Sequence, residues 1–81
     1  MNILYFAWLR ERIGLRQEEL APQATTVGAL MDELAARSAG HASAFADRSA
    51  IRAAADQELV ELDAPIAGAR EIAFFPPMTG G

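Results

Sequence analysis

From Asn2 to Trp8 nearly every position is apolar or aromatic, which predicts a strand. Ile3, Tyr5 and Ala7 fall on one side of it, Leu4, Phe6 and Trp8 on the other. A strand apolar on both faces is covered on both faces, by its own fold or by a partner. Leu9 to Ile13 then suits a short helical turn that Gly14 can stop. Arg16 to Leu20 is polar and short, as expected of an edge strand whose charges discourage pairing with other chains. Behind Thr26, a good N-cap, Val27, Leu30, Met31 and Leu34 keep the i, i+3, i+4, i+7 spacing of one buried helical face. Asp32, Glu33 and Arg37 take its solvent side, and Gly40 is its natural stop, which predicts one long helix over 26–39.

Alanine then blurs the period. The expectation is a loop or short helix around Ala42–Ala46 and a strand over Ile51–Ala55, although alanine is a poor strand former. Asp56-Gln57 reads as a turn, Glu58–Leu62 as a short alternating strand, and Asp63, Pro65 and Gly68 as loop punctuation. The last strand runs from Arg70 to Phe75, with Ile72 and Phe74 on one face and Glu71, Ala73 and Phe75 on the other.

The predicted order is ββαβββ, a two-layer α+β domain with a mixed sheet and one main helix packed on one face. Ile3, Tyr5, Ile72 and Phe74 lie under the helix. Leu4, Phe6, Leu59 and Phe75 are left on the opposite face, where a contiguous apolar patch marks a binding surface unless loops cover it.

After that strand the chain continues Pro76-Pro77-Met78-Thr79-Gly80-Gly81. The prolines stiffen the base of the segment and keep it extended. Glycine has no Cβ, so the tip is slim enough for a channel that would refuse any other residue. Residues 77–81 span roughly 17 Å at about 3.3–3.6 Å each. The reading is a domain over 1–76 with a flexible tail over 77–81, whose terminal carboxylate is the reacting group.

Composition narrows the chemistry. Net charge is −4 and no basic patch stands out, so nucleic acid is not an expected partner. There is no cysteine, which excludes disulfides and thiol chemistry, and every one of the seven basic residues is arginine. A chain without lysine offers an activated acyl group only its N-terminal amine. No run of about eighteen apolar residues exists and no signal peptide is visible, so no membrane span is expected and a cytoplasmic location fits. There is no Gly-rich phosphate loop with lysine. His41, the lone histidine, sits among Ala, Ser and Gly and is expected in a solvated loop; one histidine and no cysteine cannot build a His/Cys zinc site, so no metal site is expected. Ser38, Ser43 and Ser49 have no base nearby and read as loop or capping residues. Carboxylates are scattered rather than paired. The chain thus has no conventional active site, and any catalytic pocket belongs to a partner.

The ending Glu71-Ile72-Ala73-Phe74-Phe75-Pro76-Pro77-Met78-Thr79-Gly80-Gly81 resembles that of the MoaD family, the ubiquitin-like sulfur carriers that form the small subunit of molybdopterin synthase. Leu4 to Gly14 resembles the family's first strand and short helix, and Thr26-Val27-Gly28-Ala29-Leu30 its helix start. The likeness covers essentially the whole chain. Asp56 departs from the asparagine common there, and segment 35–55 is nondescript.

The resemblance implies a ubiquitin-like β-grasp fold. It implies that an ATP-dependent activating enzyme adenylates the Gly81 carboxylate and that a sulfur donor converts it to a thiocarboxylate. It implies further that Met78, Thr79 and Gly80 thread into the active site of a large subunit, where sulfur passes to cyclic pyranopterin monophosphate to build the molybdopterin dithiolene. Two sulfurs require two charged copies, within a heterotetramer of two small and two large subunits. Phe6, Leu59 and Phe75 match positions that pack on the large subunit. No cofactor is held by the chain itself, since ATP is used by the activating partner. Other readings stay open: a carrier for thiamine-type synthesis, a ubiquitin-like protein modifier, or a plain interaction module with an inert tail.

Overall fold

The computed structural model describes residues 1–77. Among them, strands β1 (Asn2–Tyr5), β2 (Gln17–Glu19), β3 (Arg52–Ala55), β4 (Glu58–Val60) and β5 (Glu71–Phe75) form one sheet in the order β2-β1-β5-β3-β4. β1 lies parallel to β5, with Ile3 opposite Ile72 and Tyr5 opposite Phe74, and every other pairing is antiparallel. These four side chains alternate onto one face, where the helices bury them completely or nearly so.

Strand β1 is shorter than the apolar run predicts. The chain leaves the sheet at Phe6 and helix α1 takes Ala7–Ile13, so Trp8 is helical. Ala7 opens it with φ of 54°, a left-handed conformation unusual for alanine. Gly14 closes it as expected, at φ 86°, with its N–H donating to the Arg10 carbonyl at 2.8 Å. Edge strand β2 follows.

Helix α2 (Val27–Ala35) starts where Thr26 predicts, the threonine Oγ1 accepting from the Ala29 N–H at 3.1 Å. Val27, Leu30, Met31 and Leu34 are fully buried. Two more N–H groups of the first turn donate into the loop before β5: Val27 to the Ala64 carbonyl at 3.1 Å and Gly28 to that of Leu62 at 2.7 Å. The predicted run to residue 39 is corrected, because α2 ends at Ala35. Ser38 then caps a separate helix α3 (Ala39–Ala44), accepting from the His41 N–H at 3.1 Å, and Gly40 lies inside this helix rather than stopping α2. Gly40 has a packing reason to be there. A Cβ on it would stand 2.5 Å from the Arg12 carbonyl oxygen, so α1 and α3 touch backbone to backbone. A 3₁₀ turn (Arg48–Ala50) leads into β3.

His41 corrects the sequence reading further. It is buried, 5% exposed, rather than solvated. Glu18 faces Ile3 across the β1–β2 ladder and turns its carboxylate inward. Its Oε2 lies 2.6 Å from His41 Nε2 and accepts from the Tyr5 hydroxyl at 2.7 Å, while Arg37 lies 3.3 Å from Oε1. His41 Nδ1 is 2.7 Å from Ser38 Oγ, so Ser38 is both a cap, as expected, and close to a base, which the sequence reading missed. An ionised Glu18 can only accept, so His41 Nε2–H donates to it, and in the neutral imidazole Nδ1 then accepts from the Ser38 hydroxyl. Burial alone pushes the Glu18 carboxyl up. The hydrogen bonds from His41 and Tyr5 and the charges beside it outweigh that and hold it below the usual range. Tyr5 is raised well above the ordinary phenol, first by its own burial, then by Glu18. Edge contacts carry the order inward from Tyr5 to His41, and through Phe45 to Phe74.

Two outcomes follow from these contacts. Gly40→Ala should destabilise the fold by about 1–3 kcal/mol through overpacking, although alanine is the better helix former; denaturant unfolding reads it. Glu18 has a folded pKa below its unfolded value of about 4.3, so its stabilisation is complete above that pH and disappears as pH falls through the folded value. Glu18→Gln should therefore lower stability at pH 7 by about 1–3 kcal/mol and flatten the acid limb of a stability–pH profile.

Candidate functional site

The sheet face away from the helices is organised in rows set by the strand register. Gln17, Leu4, Ala73, Ala54 and Leu59 stand side by side across all five strands. One step toward the start of β5, the row is polar: Glu19, Asn2 and Glu71. One step toward its end, Phe75 stands beside Arg52. Phe6 follows Tyr5 there, its N–H donating to the Phe74 carbonyl at 3.1 Å. The face thus runs from an acidic end, through an apolar middle, to an aromatic end.

Phe6 is 45% exposed and Leu59 70%, while Phe75 and Leu4 are half-buried. An open groove of about 700 Å³ runs between Leu4, Phe6, Ala73 and Phe75, with Gln57 and Glu71 at one end and Pro76 and Pro77 at the other. The groove therefore ends where the chain leaves the sheet. A second depression beside it, of about 490 Å³, is lined by Phe6, Gln17 and the arginines Arg10 and Arg16. Among the described residues Arg10, Arg16 and Arg52 form no ion pair.

Local chemistry holds this shape. Asp56 and Gln57, at φ 48° and 73°, make a two-residue hairpin turn between β3 and β4. Asp tolerates that conformation through its short polar side chain. Its Oδ1 also accepts from the N–H groups of Arg70 and Glu71, at 2.9 and 3.0 Å, which anchors the start of β5. At the other end of β5, the left-handed turn at Ala7 takes the chain off the sheet directly behind Phe6.

Of the candidate residues, Phe6 and Phe75 line the groove together with Leu4, whereas Leu59 shares the face but stands on edge strand β4, with Ala73 and Ala54 between it and Leu4. Gly81, Gly80, Thr79 and Met78, and with them the tail predicted over 77–81 apart from Pro77, lie outside the described residues. From Pro77, four further residues reach at most about 13–14 Å. The sequence reading missed Arg10 and Arg16 at the groove's flank. The apolar spacing of α1 held no sign of them, and Arg16 comes beside the face because it directly precedes β2, its carbonyl accepting from the Tyr5 N–H at 2.9 Å. The described lining is apolar with few polar groups, suited to binding rather than bond-making. Among the described residues there is no cluster of three potential metal ligands and no helix long and apolar enough to cross a membrane.

Comparison with known proteins gives this face a context. The model of the ThiS family matches residues 3–81. The chain is 42% identical over 81 residues to the molybdopterin synthase sulfur carrier subunit of Escherichia coli strain K12, covering 100% of this chain and 99% of that one. It is 36% identical, over the same shares, to the protein of the same name in Haemophilus influenzae. Among solved structures, SAMP1 from Haloferax volcanii superposes with a TM-score of 0.70 at 28% identity, over 99% of this chain and 97% of that one. A Pyrococcus furiosus chain proposed as molybdopterin converting factor subunit 1 reaches 0.74 at 24% identity, over 95% of each, a likeness of fold. Together with the sheet order these neighbours identify the architecture as the ubiquitin-like β-grasp.

The two faces of the sheet should respond differently to truncation. Leu59→Ser should shift unfolding by no more than about 0.5 kcal/mol, as at other exposed positions, whereas Phe74→Ala should cost about 3–5 kcal/mol. Parallel denaturant curves at one pH check both.

Proposed function

The chain belongs to the ThiS family, and on that premise we propose that it is the sulfur-carrier subunit of a molybdopterin synthase, with Gly81 as the sulfur-bearing residue. The single observation that carries the reading is the open apolar groove that ends at Pro76–Pro77, directly before Met78-Thr79-Gly80-Gly81 in the sequence. A partner seated there lies within reach of the terminal carboxylate. The full-length relatives named for this role support it.

The chemistry needs two enzymes. An activating partner joins the Gly81 carboxylate oxygen to the α-phosphate of ATP and releases pyrophosphate. Sulfur delivered at the oxidation level of hydrosulfide attacks the acyl carbon, AMP leaves with the bonding electron pair, and a thiocarboxylate remains. Its sulfur is more nucleophilic and more polarisable than the oxygen it replaces. A large subunit binds cyclic pyranopterin monophosphate and receives the tail, with Met78, Thr79 and Gly80 along the channel. The sulfur bonds to a substrate carbon as an oxygen leaving group departs from it, and water then cleaves the resulting thioester, releasing the Gly81 carboxylate for another cycle. Two sulfurs complete the dithiolene, which suits two small and two large subunits. This chain works as sulfurtransferase subunit and cosubstrate at once, holds no cofactor of its own, and acts in the cytoplasm. Phe6, Leu59 and Phe75 dock the large subunit.

Phe75→Ala should weaken that docking more than folding, because burying an aromatic side chain is worth about 1.5–3 kcal/mol and aromatic anchors dominate interfaces. Calorimetric titration beside an unfolding curve separates the two. Deleting Gly81 should abolish transfer and leave the fold unchanged. It shortens the reach by about 3.3–3.6 Å, which removes the reacting atom from the roughly 3–3.5 Å needed for attack. The test is product formation by the purified large subunit with a chemically prepared thiocarboxylate of each variant. A truncated chain that still delivers sulfur at the normal rate would overturn the assignment of Gly81.

A further inference from the structure

Three arginines border the aromatic end of the open face. Arg10 and Arg16 line the depression beside Phe6, and Arg52 stands opposite Phe75 in the β3–β5 ladder. All three are exposed, and among the described residues none forms an ion pair. Arg52 donates to the neighbouring Ile51 carbonyl at 3.3 Å. Arg37 and Arg48, by contrast, are paired with Glu18 and Asp32. No carboxylate lines the depression. Glu18, two positions from Arg16, turns inward to Tyr5 and His41. The opposite end of the face carries Glu19 and Glu71.

Arg10 has a use in the fold, since a cation suits the last turn of α1. Nothing comparable holds for the charges of Arg16 and Arg52. The chain has seven arginines against eleven carboxylates, yet three arginines without ion pairs gather where β5 gives way to Pro76. Arginine beside exposed aromatic side chains is the composition of a protein interface, with apolar anchors at the centre and charge at the rim. A protein that covers the groove also thins the water around that rim, so an opposing charge there is screened less. Carboxylates placed beside the aromatic end are attracted. Turned end for end, the same protein would set them against Glu19 and Glu71, and like charges across an interface suppress that arrangement.

We propose that Arg10, Arg16 and Arg52 form a basic rim that engages carboxylates of the protein seated on the groove, and that the opposed charges at the two ends of the face admit it in one orientation. This rests on the docking of the large subunit proposed above. It adds the chemistry of the docking surface, which is apolar at its centre and acidic where β5 ends. Rim charges act mainly on the approach of the partner, so they set the association rate and its salt dependence more than the dissociation rate.

The test follows association of the full chain with the purified large subunit by stopped flow across a salt series. Arg16→Glu and Arg52→Glu each reverse one rim charge. Arg70→Glu changes the net charge equally, but Arg70 directly precedes β5 and lies about 16 Å from Phe75 along the strand. That exceeds the screening length of about 10 Å at 0.1 M salt. Circular dichroism and an unfolding curve confirm that each variant folds. At about 0.1 M salt each rim reversal should slow association about threefold or more, and both together about tenfold or more. The effect should fade at about 1 M salt, where screening acts within about 3 Å, and Arg70→Glu should stay within about twofold of wild type. Equal slowing by all three would make the effect one of net charge and overturn the proposal. Unchanged or faster association of the rim variants would overturn it too. So would self-association of the wild-type chain in sedimentation that Arg16→Glu abolishes, or saturable binding of inorganic phosphate that the same variant abolishes. Loss of binding in Phe75→Ala with both rim variants unaffected would remove the rim and leave the docking of the large subunit standing. A wild-type chain that does not bind the large subunit would remove both.

Discussion

The parallel pairing of β1 with β5 is the constraint from which the other arrangements follow. It sets Ile3 against Ile72 and Tyr5 against Phe74, so the two most apolar strands present their larger buried side chains to the same helical layer. By the same alternation it delivers Leu4, Ala73 and Phe75 to the other face. A slip of one residue would exchange these sets, exposing Phe74 and burying Glu71 under the helices. The apolar core and the open groove are two sides of a single register, and neither can change without the other.

That register is secured at a distance by polar groups. Strand β2 is short and lies at the sheet edge, where three residues of ladder offer little. Glu18 compensates by reaching inward to Tyr5, His41 and Arg37, which joins the edge strand to α3 and to the core aromatics. Asp56 makes a comparable contact at the opposite side, from the β3–β4 turn to the start of β5. The central strand is thus held by apolar burial, and the periphery by a few side chains that accept several hydrogen bonds each.

The sequence was most informative where local and long-range demands coincide. Thr26 and the spacing of Val27, Leu30, Met31 and Leu34 specify α2, and the alternation of Ile72 and Phe74 specifies the buried side of β5. The exposed face was legible for the same reason, since Leu4, Phe6, Leu59 and Phe75 are what alternation leaves over. Reading failed where the deciding partner is remote. Phe6 to Trp8 is as apolar as a strand, yet it turns into helix because the ladder with β5 ends at Tyr5. The Ala-rich segment has no period to show that Ser38 begins a new helix. Gly40 looked like a stop because its real neighbour, Arg12, is 28 positions away in sequence. His41 appeared solvated because its acceptor, Glu18, stands 23 positions upstream.

The position of β5 also has a meaning in time. Among the described residues it is the last strand to be made, yet it occupies the centre of the sheet, between β1 and β3. Until Phe75 leaves the ribosome, β1 lacks its parallel neighbour and the helices lack Ile72 and Phe74 beneath them. Chains emerge at about 5–20 residues per second, and non-local pairings of this kind form late because loop closure must precede them. Folding therefore awaits a strand that only five residues separate from Gly81. The face that carries Leu4, Ala73 and Phe75 is therefore complete only once β5 has docked, so a partner that reads the whole face meets only chains that have folded.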